Sequence, residues 1–189
     1  MNAPSVAQPL PWWRRIIKPK EKRWTGTQFL NIASGIAIAY MLLFGYLEDN
    51  WHLSVAPQKV KCLPEDYFIT RVAPPKANEV GRGNIYTYAA KGLAPLLPDG
   101  ANMAKIAAAI PGDHVVVNAN GVSINGKFWG PLNPHVLAKS GKTVADVSAD
   151  YVVPANKYLM LGTLPRSYDG RYWGLVDYSQ IRGRAYPIW

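Results

Sequence analysis

Charge and apolarity divide this chain into two unlike parts. Residues 29–47 read F-L-N-I-A-S-G-I-A-I-A-Y-M-L-L-F-G-Y-L, nineteen positions without one charged side chain. A helix of that length rises about 28 Å, against roughly 30 Å of bilayer hydrocarbon. Its apolarity on every face, with basic residues before it and Glu48 and Asp49 after it, predicts a transmembrane helix over residues 26–48 rather than a buried core helix. A cleaved signal peptide fits less well, because the basic region is long and no clear A-x-A site follows.

Beyond this stretch the pattern changes to short strand-like runs punctuated by Gly, Pro and Asn. Residues 51–58 read as a connector, and residues 60–69 open the folded domain. Residues 81–90, G-R-G-N-I-Y-T-Y-A-A, predict a turn into a strand through Ile85, Tyr86, Thr87 and Tyr88. The Pro/Gly-rich loop over 91–102 is unusually apolar, which suits lining a cleft or meeting a bilayer surface. Residues 114–126 give two β-type runs around an Asn-Gly turn. One or two short helices are expected within 131–150, and two brief strands around Pro154-Ala155-Asn156. Strand-like segments close the chain over 171–189.

The 189 residues suffice for one domain with a real core plus an anchor. With 7 Trp, 11 Tyr, 16 Gly and 16 Pro, the composition favours a β-rich, loop-rich domain over a helical bundle. The net charge of +9 is unevenly spread: residues 1–25 carry six basic residues (Arg14, Arg15, Lys18, Lys20, Lys22, Arg23) against Glu21 alone, hence +5. Concentrated beside an apolar span, this charge points to membrane topology and not to nucleic acid. Trp12, Trp13 and Trp24 suit the headgroup zone of the bilayer. The expected organisation is a basic cytoplasmic tail (1–25), an uncleaved membrane anchor (26–48) and an exported domain (49–189). In a bacterium this is a single-pass inner-membrane protein with a periplasmic domain.

Two residues carry candidate chemistry. Lys105 opens K-I-A-A-A-I-P-G-D, in which a lysine stands on a strand with apolar neighbours before a Pro-Gly-Asp turn. Burial disfavours the charged form of an amine, which suits such a lysine to act as a general base; the same pattern also fits a surface lysine at a strand end. Cys62 is the only cysteine, so no intrachain disulfide can form. It reads as a buried small hydrophobe, an intermolecular link or a reactive thiol. His52, His114 and His135 are too scattered for a metal motif, so neither a metal nor another cofactor is expected.

Four segments in order, over roughly residues 28–189, resemble the signal peptidase I superfamily. They are the apolar span, Cys62-Leu63-Pro64-Glu65-Asp66-Tyr67-Phe68 at the nucleophile box, residues 105–113 with the strand behind them, and G-T-L-P-R-S-Y-D-G-R-Y-W-G over 162–174. The resemblance implies a mostly β fold, with an N-terminal transmembrane helix and a folded antiparallel β domain. It also implies a nucleophile–lysine dyad of Cys62 and Lys105, with Ser167, Asp169 and Arg171 in support. In the family the serine helps orient the lysine, and the Asp–Arg pair buttresses the site. Small size, the S-x-D-x-R-Y-W-G box and the ending P-I-W are most similar to TraF-type conjugative pilin peptidases. That likeness implies a propilin substrate, a possible cyclised product, other transfer-apparatus proteins as candidate partners, and a type IV secretion setting.

The sequence departs from the family pattern at several positions. Cysteine stands where the family has serine, and a thiol needs less help from a base. Lys61 beside it is a candidate for lowering the thiol's pKa. Val60 replaces a side-chain hydroxyl that some relatives supply to the oxyanion hole, Ile106 a basic residue, and Gly170 a serine. Ser54 in S-V-A-P is the second candidate nucleophile, and a Cys62–His114 pair ranks below both. The alternative function is a catalytically inactive scaffold of the transfer apparatus, and a third is a general signal peptidase.

Overall fold

The computed structural model describes residues 24–55 and 61–188. Helix α1 (Gly26–Asn50) contains the whole uncharged stretch and has no buried residue. Thr25 starts it with a reciprocal cap: its hydroxyl accepts from the Gln28 amide at 3.3 Å, and its own amide donates to the Gln28 side chain at 3.2 Å. That T-x-x-Q exchange satisfies two of the orphan donors that every helix start leaves. The helix is long and apolar enough to cross a membrane, which is compatible with an anchor. Of the basic tail, only Trp24 and Thr25 fall among the described residues.

Contacts divide the chain between Phe44 and Gly45, and the strands all belong to the second unit. They are β1 (Trp51–Val55), β2 (Tyr67–Arg71), β3 (Ile85–Ala89), β4 (Asn102–Ala109), β5 (His114–Asn118), β6 (Gly121–Ile124), β7 (Lys127–Gly130), β8 (Ala149–Val152), β9 (Lys157–Leu161), β10 (Val176–Asp177) and β11 (Ile181–Pro187). Seven form a sheet in the order β1-β2-β11-β3-β4-β9-β10, and four form a second in the order β7-β6-β5-β8. Every pairing is antiparallel. The expected mostly β architecture with an N-terminal apolar helix is what the chain adopts.

The connector expected over residues 51–58 is corrected in its first half. Trp51–Val55 is a strand paired residue for residue with β2, from Trp51 opposite Arg71 to Val55 opposite Tyr67. Its apolar residues Leu53 and Val55 point away from the core, so alternation gave no sign of a buried face. The hairpin around the Asn-Gly turn forms as expected, β5 pairing with β6. The expected helices are α2 (Pro134–Ser140) and α3 (Val144–Val147), and a further short helix, α4 (Gly170–Trp173), falls within the last box.

Strand β3 does not alternate between core and solvent, since Ile85, Tyr86, Thr87 and Tyr88 are all buried. Both of its faces are covered. Tyr86 and Tyr88 pack with Tyr158, Met160 and Val176, while Ile85 packs with Leu63, Phe68 and Ala185. A third cluster, built on Val115, Val122, Leu159 and Leu161, fills the space behind the smaller sheet. Each such apolar side chain stabilises the fold by about 1.5–3 kcal/mol on burial. Beside them β4 carries four alanines in its eight residues, and it bulges between Ala107 and Ala109. Ala107 therefore joins one cluster and Ala108 and Ala109 the other.

Candidate active site

Lys105 lies at the centre of β4, hydrogen-bonded between β3 and β9, in register with Tyr86. Residues two apart on a strand share a face, so Met103 and Ala107 flank it. Its exposure is only 3%, and among the described residues its amine enters no ion pair or hydrogen bond. The surface-lysine reading of the sequence therefore does not hold.

The turn behind this strand is pinned by Asp113. Its carboxylate accepts from the Ile110 amide and the Asn125 side-chain amide, each at 2.8 Å, and from Arg82. Burial alone would raise the Asp113 carboxyl, but these donors and the Arg82 charge outweigh it and hold the pKa below the usual range. The P-G-D motif signals this role, because an aspartate at the end of a turn commonly accepts its own backbone amides. The sequence reading had not drawn it out.

Cys62 occupies a bend before β2 and is half-buried. Leu63 and Phe68 fix that bend by inserting into the core. Lys61 is committed to Asp66 at 2.7 Å across the bend. The carbonyl of Cys62 accepts from the Thr163 amide at 3.1 Å and the Leu164 amide at 3.4 Å, which ties the bend to the start of the last box. Cys62 and Lys105 both line one cleft of about 400 Å³, within the usual size range of small-ligand sites. Ser54 lines it too, with its hydroxyl 3.1 Å from that of Thr70. Leu96 and Leu97, from the apolar loop over 91–102, form part of its wall.

Beneath the bend, Gly162 leaves no room for a side chain. A Cβ there would stand 2.3 Å from the Ser167 hydroxyl and 2.5 Å from the Cys62 carbonyl oxygen. Ser167 thus packs against the segment that holds Cys62, and its buried hydroxyl has no hydrogen-bond partner among the described residues. Asp169 and Arg171 form a buried two-point pair, Nε to Oδ1 at 2.9 Å and Nη2 to Oδ2 at 2.8 Å. Asp169 also accepts from the Gly162 amide at 2.8 Å, while Arg171 donates to the Gly162 carbonyl at 2.7 Å and to the Pro131 carbonyl at 3.1 Å. The pair therefore holds both backbone groups of Gly162, the residue packed against the Cys62 carbonyl.

His114 is bonded to Asp150 at 2.6 Å and lies outside the cleft lining, so the Cys62–His114 pairing is not formed. Lys139 and Arg166 add positive charge to the cleft wall, and His135 adds an imidazole. The sequence reading missed these three; they are scattered along the chain and only the packing of α2 against the last box gathers them. Tyr88 was read only as a strand residue, yet its hydroxyl is buried without a hydrogen-bond partner among the described residues, and that burial holds its pKa above the ordinary phenol range. Val60 falls outside the described residues.

Comparison with known proteins follows the same lines. A segment is 36% identical over 81 residues to a probable signal peptidase I-2 of Synechocystis sp., covering 41% of this chain and 33% of that protein. Another is 45% identical over 40 residues to signal peptidase I of Buchnera aphidicola, covering 21% of this chain and 13% of that one. The matched segments thus span a third or less of those relatives. A crystal structure of a signal peptidase I from Enterococcus faecalis aligns over 55% of this chain and 94% of that one, with 23% identity and a TM-score of 0.33. The family described as signal peptidase, peptidase S26, matches residues 26–189, and the chain belongs to that family.

Proposed function

We propose that this protein is a membrane-anchored endopeptidase working through a Cys62–Lys105 dyad. The observation that carries the reading is the burial of Lys105, without an acidic partner among the described residues, in the wall of the cleft that Cys62 also lines. Cys62 attacks the scissile carbonyl, Lys105 accepts the thiol proton and returns it to the leaving amine, and a thioester acyl-enzyme remains. Backbone amides around Cys62 hold the oxyanion. Ser167, Asp169 and Arg171 support the site from behind.

The substrate we infer is a pilin precursor of a conjugative type IV secretion apparatus, on the strength of the S-x-D-x-R-Y-W-G box and the small size of the domain. A thioester reacts with amines readily relative to water, so the acyl group can pass to the pilin's own amino end. The bond formed is then a peptide bond, the thiol regains its proton, and the product is cyclic.

An inactive scaffold is the second reading, favoured by Val60, Ile106 and Gly170 at positions where the family pattern has polar side chains. Co-expression with propilin separates the two. Lys105→Ala at normal protein level abolishes processing if the chain is a peptidase, and leaves pilus assembly unaffected if it is a scaffold. The intact mass of mature pilin then reports the product, since a cycle is one water lighter than the linear chain.

A further inference from the structure

Two cations on the cleft wall stand without a counter-ion. The side chains of Lys139 and Arg166 are exposed and enter no ion pair or hydrogen bond among the described residues, although both line the cleft shared by Cys62 and Lys105. His135 lies four residues before Lys139 on α2, so the two side chains leave the same face of that helix. Among the described residues of the lining Glu65 is the one acid, and it pairs with none of the three. Lys61 is already balanced by Asp66.

Backbone and side-chain bonds fix where this basic group sits. The Ser167 amide donates to the Leu164 carbonyl at 3.1 Å, closing a turn with Pro165 and Arg166 at its two central positions. The Thr163 and Leu164 amides tie the same segment to the Cys62 carbonyl. Asn133 joins it to α2, since its side chain accepts from the His135 amide at 2.9 Å and donates to the Pro165 carbonyl at 3.0 Å. The basic side chains are therefore mounted on the framework that holds the thiol. Leu96, Leu97 and Met103 line the cleft as well and give it an apolar share.

A peptide lying in this cleft strips water from the guanidinium and the ammonium. That loss is unfavourable unless an anion takes the place of the water, so a neutral or basic side chain there is disfavoured. We propose that Lys139 and Arg166, with His135, form a subsite that binds a carboxylate of the peptide substrate close to the scissile bond. The substrate class is an acidic segment with apolar residues beside it, and the two cations set specificity without touching the reacting atoms. An acidic side chain and a free carboxyl terminus share this chemistry. The inference deepens the proposed peptidase and rests on that reading.

The test is peptide binding to full-length Cys62→Ala in an uncharged detergent, read by fluorescence anisotropy. The probes are dye-labelled, amidated peptides of Ala, Leu and Ser that carry Glu or Gln at one position, moved along the peptide. A partly exposed ion pair supports about a fivefold preference for Glu over Gln at the favoured position. Lys139→Gln combined with Arg166→Gln is expected to bring that ratio to about one, with the melting temperature unchanged. Lys127→Gln, at an exposed lysine outside the cleft lining, leaves the preference in place. No preference at any position, a preference that survives the double substitution, or an equal loss in Lys127→Gln overturns the proposal. A neutral peptide with a free carboxyl terminus separates the two sources of the carboxylate. Tighter binding of that peptide than of its amide assigns the terminus, and a preference for Glu alone assigns the side chain; either upholds the subsite if the double substitution removes it. Binding is read without turnover, so failure of the peptidase reading shows separately, as full processing of propilin by Cys62→Ala.

Discussion

The amide of Thr163 donates to the carbonyl of Cys62 at 3.1 Å, so the bend bearing the thiol is hung from the first residues of a segment a hundred positions away. That attachment depends on a glycine next to it. Gly162→Ala places a methyl 2.5 Å from the same carbonyl and 2.3 Å from the Ser167 hydroxyl. Overpacking of this kind costs about 1–3 kcal/mol, and here the displaced groups belong to the site. The expected outcome is a lowered melting temperature together with loss of propilin processing. A variant with normal melting and normal processing would show that Cys62 does not depend on this anchor.

Asp169 and Lys105 are both buried, and they answer substitution in opposite ways. Asp169→Ala strands the guanidinium of Arg171 and frees the Gly162 amide, a loss of about 3–5 kcal/mol for breaking a buried pair. Lys105→Met removes a buried amine that has no partner among the described residues and fills the space with apolar atoms. Thermal melts are expected to show a large drop for Asp169→Ala and no drop for Lys105→Met, with processing absent in both. A large drop for Lys105→Met would give the lysine a structural role.

Cys62→Ala and Lys105→Ala are each expected to abolish processing, and the double variant to be no worse than either. Groups that act as a unit lose their effect once. Cys62→Ser is expected to keep partial activity. Measured rates for the four variants decide this, and full activity of Cys62→Ala transfers the nucleophile to Ser54.

Acid stability is expected to depend on Asp113. Its folded pKa lies below the unfolded value of about 3.9, so its contribution is complete above that pH and is lost as pH falls through the folded pKa. Asp113→Asn therefore lowers the melting temperature near neutrality, and its gap from the unmodified protein narrows below about pH 4. A gap that holds constant down to the acid limit of folding would assign the effect to shape rather than charge.

The charge asymmetry about the apolar span gives a topology. With +5 on residues 1–25 before an uncharged run of nineteen, the amino end is expected in the cytoplasm. A reporter fused after Trp189 should be active only if it is one that works after export. Activity of a cytoplasm-only reporter at that position would reverse the orientation.

What the sequence determined by itself is local or periodic. A span needs only a continuous apolar run. The β5–β6 hairpin needs only its Asn-Gly turn, and α2 and α3 are set by Asn133 and Thr143, whose side chains cap their first turns. The candidate residues Cys62, Lys105, Ser167, Asp169 and Arg171 were legible from motif likeness, because each sits at a fixed spacing within its own segment. Tertiary structure alone decided how those segments meet. Burial of Lys105 requires β3 and β9 on either side of β4, and nothing in M-A-K-I-A-A-A separates a central strand from an edge. The strand nature of Trp51–Val55 came from pairing with β2, since its outward apolar residues carry no inward signature. Tyr88 shows the same limit most sharply. Its sequence neighbours make it a core aromatic, and only the packing of the closed sheet leaves its hydroxyl buried without a hydrogen-bond partner among the described residues. Propensity acts over a few residues, whereas these relationships link positions from 62 to 171 and exist only once the sheet has closed.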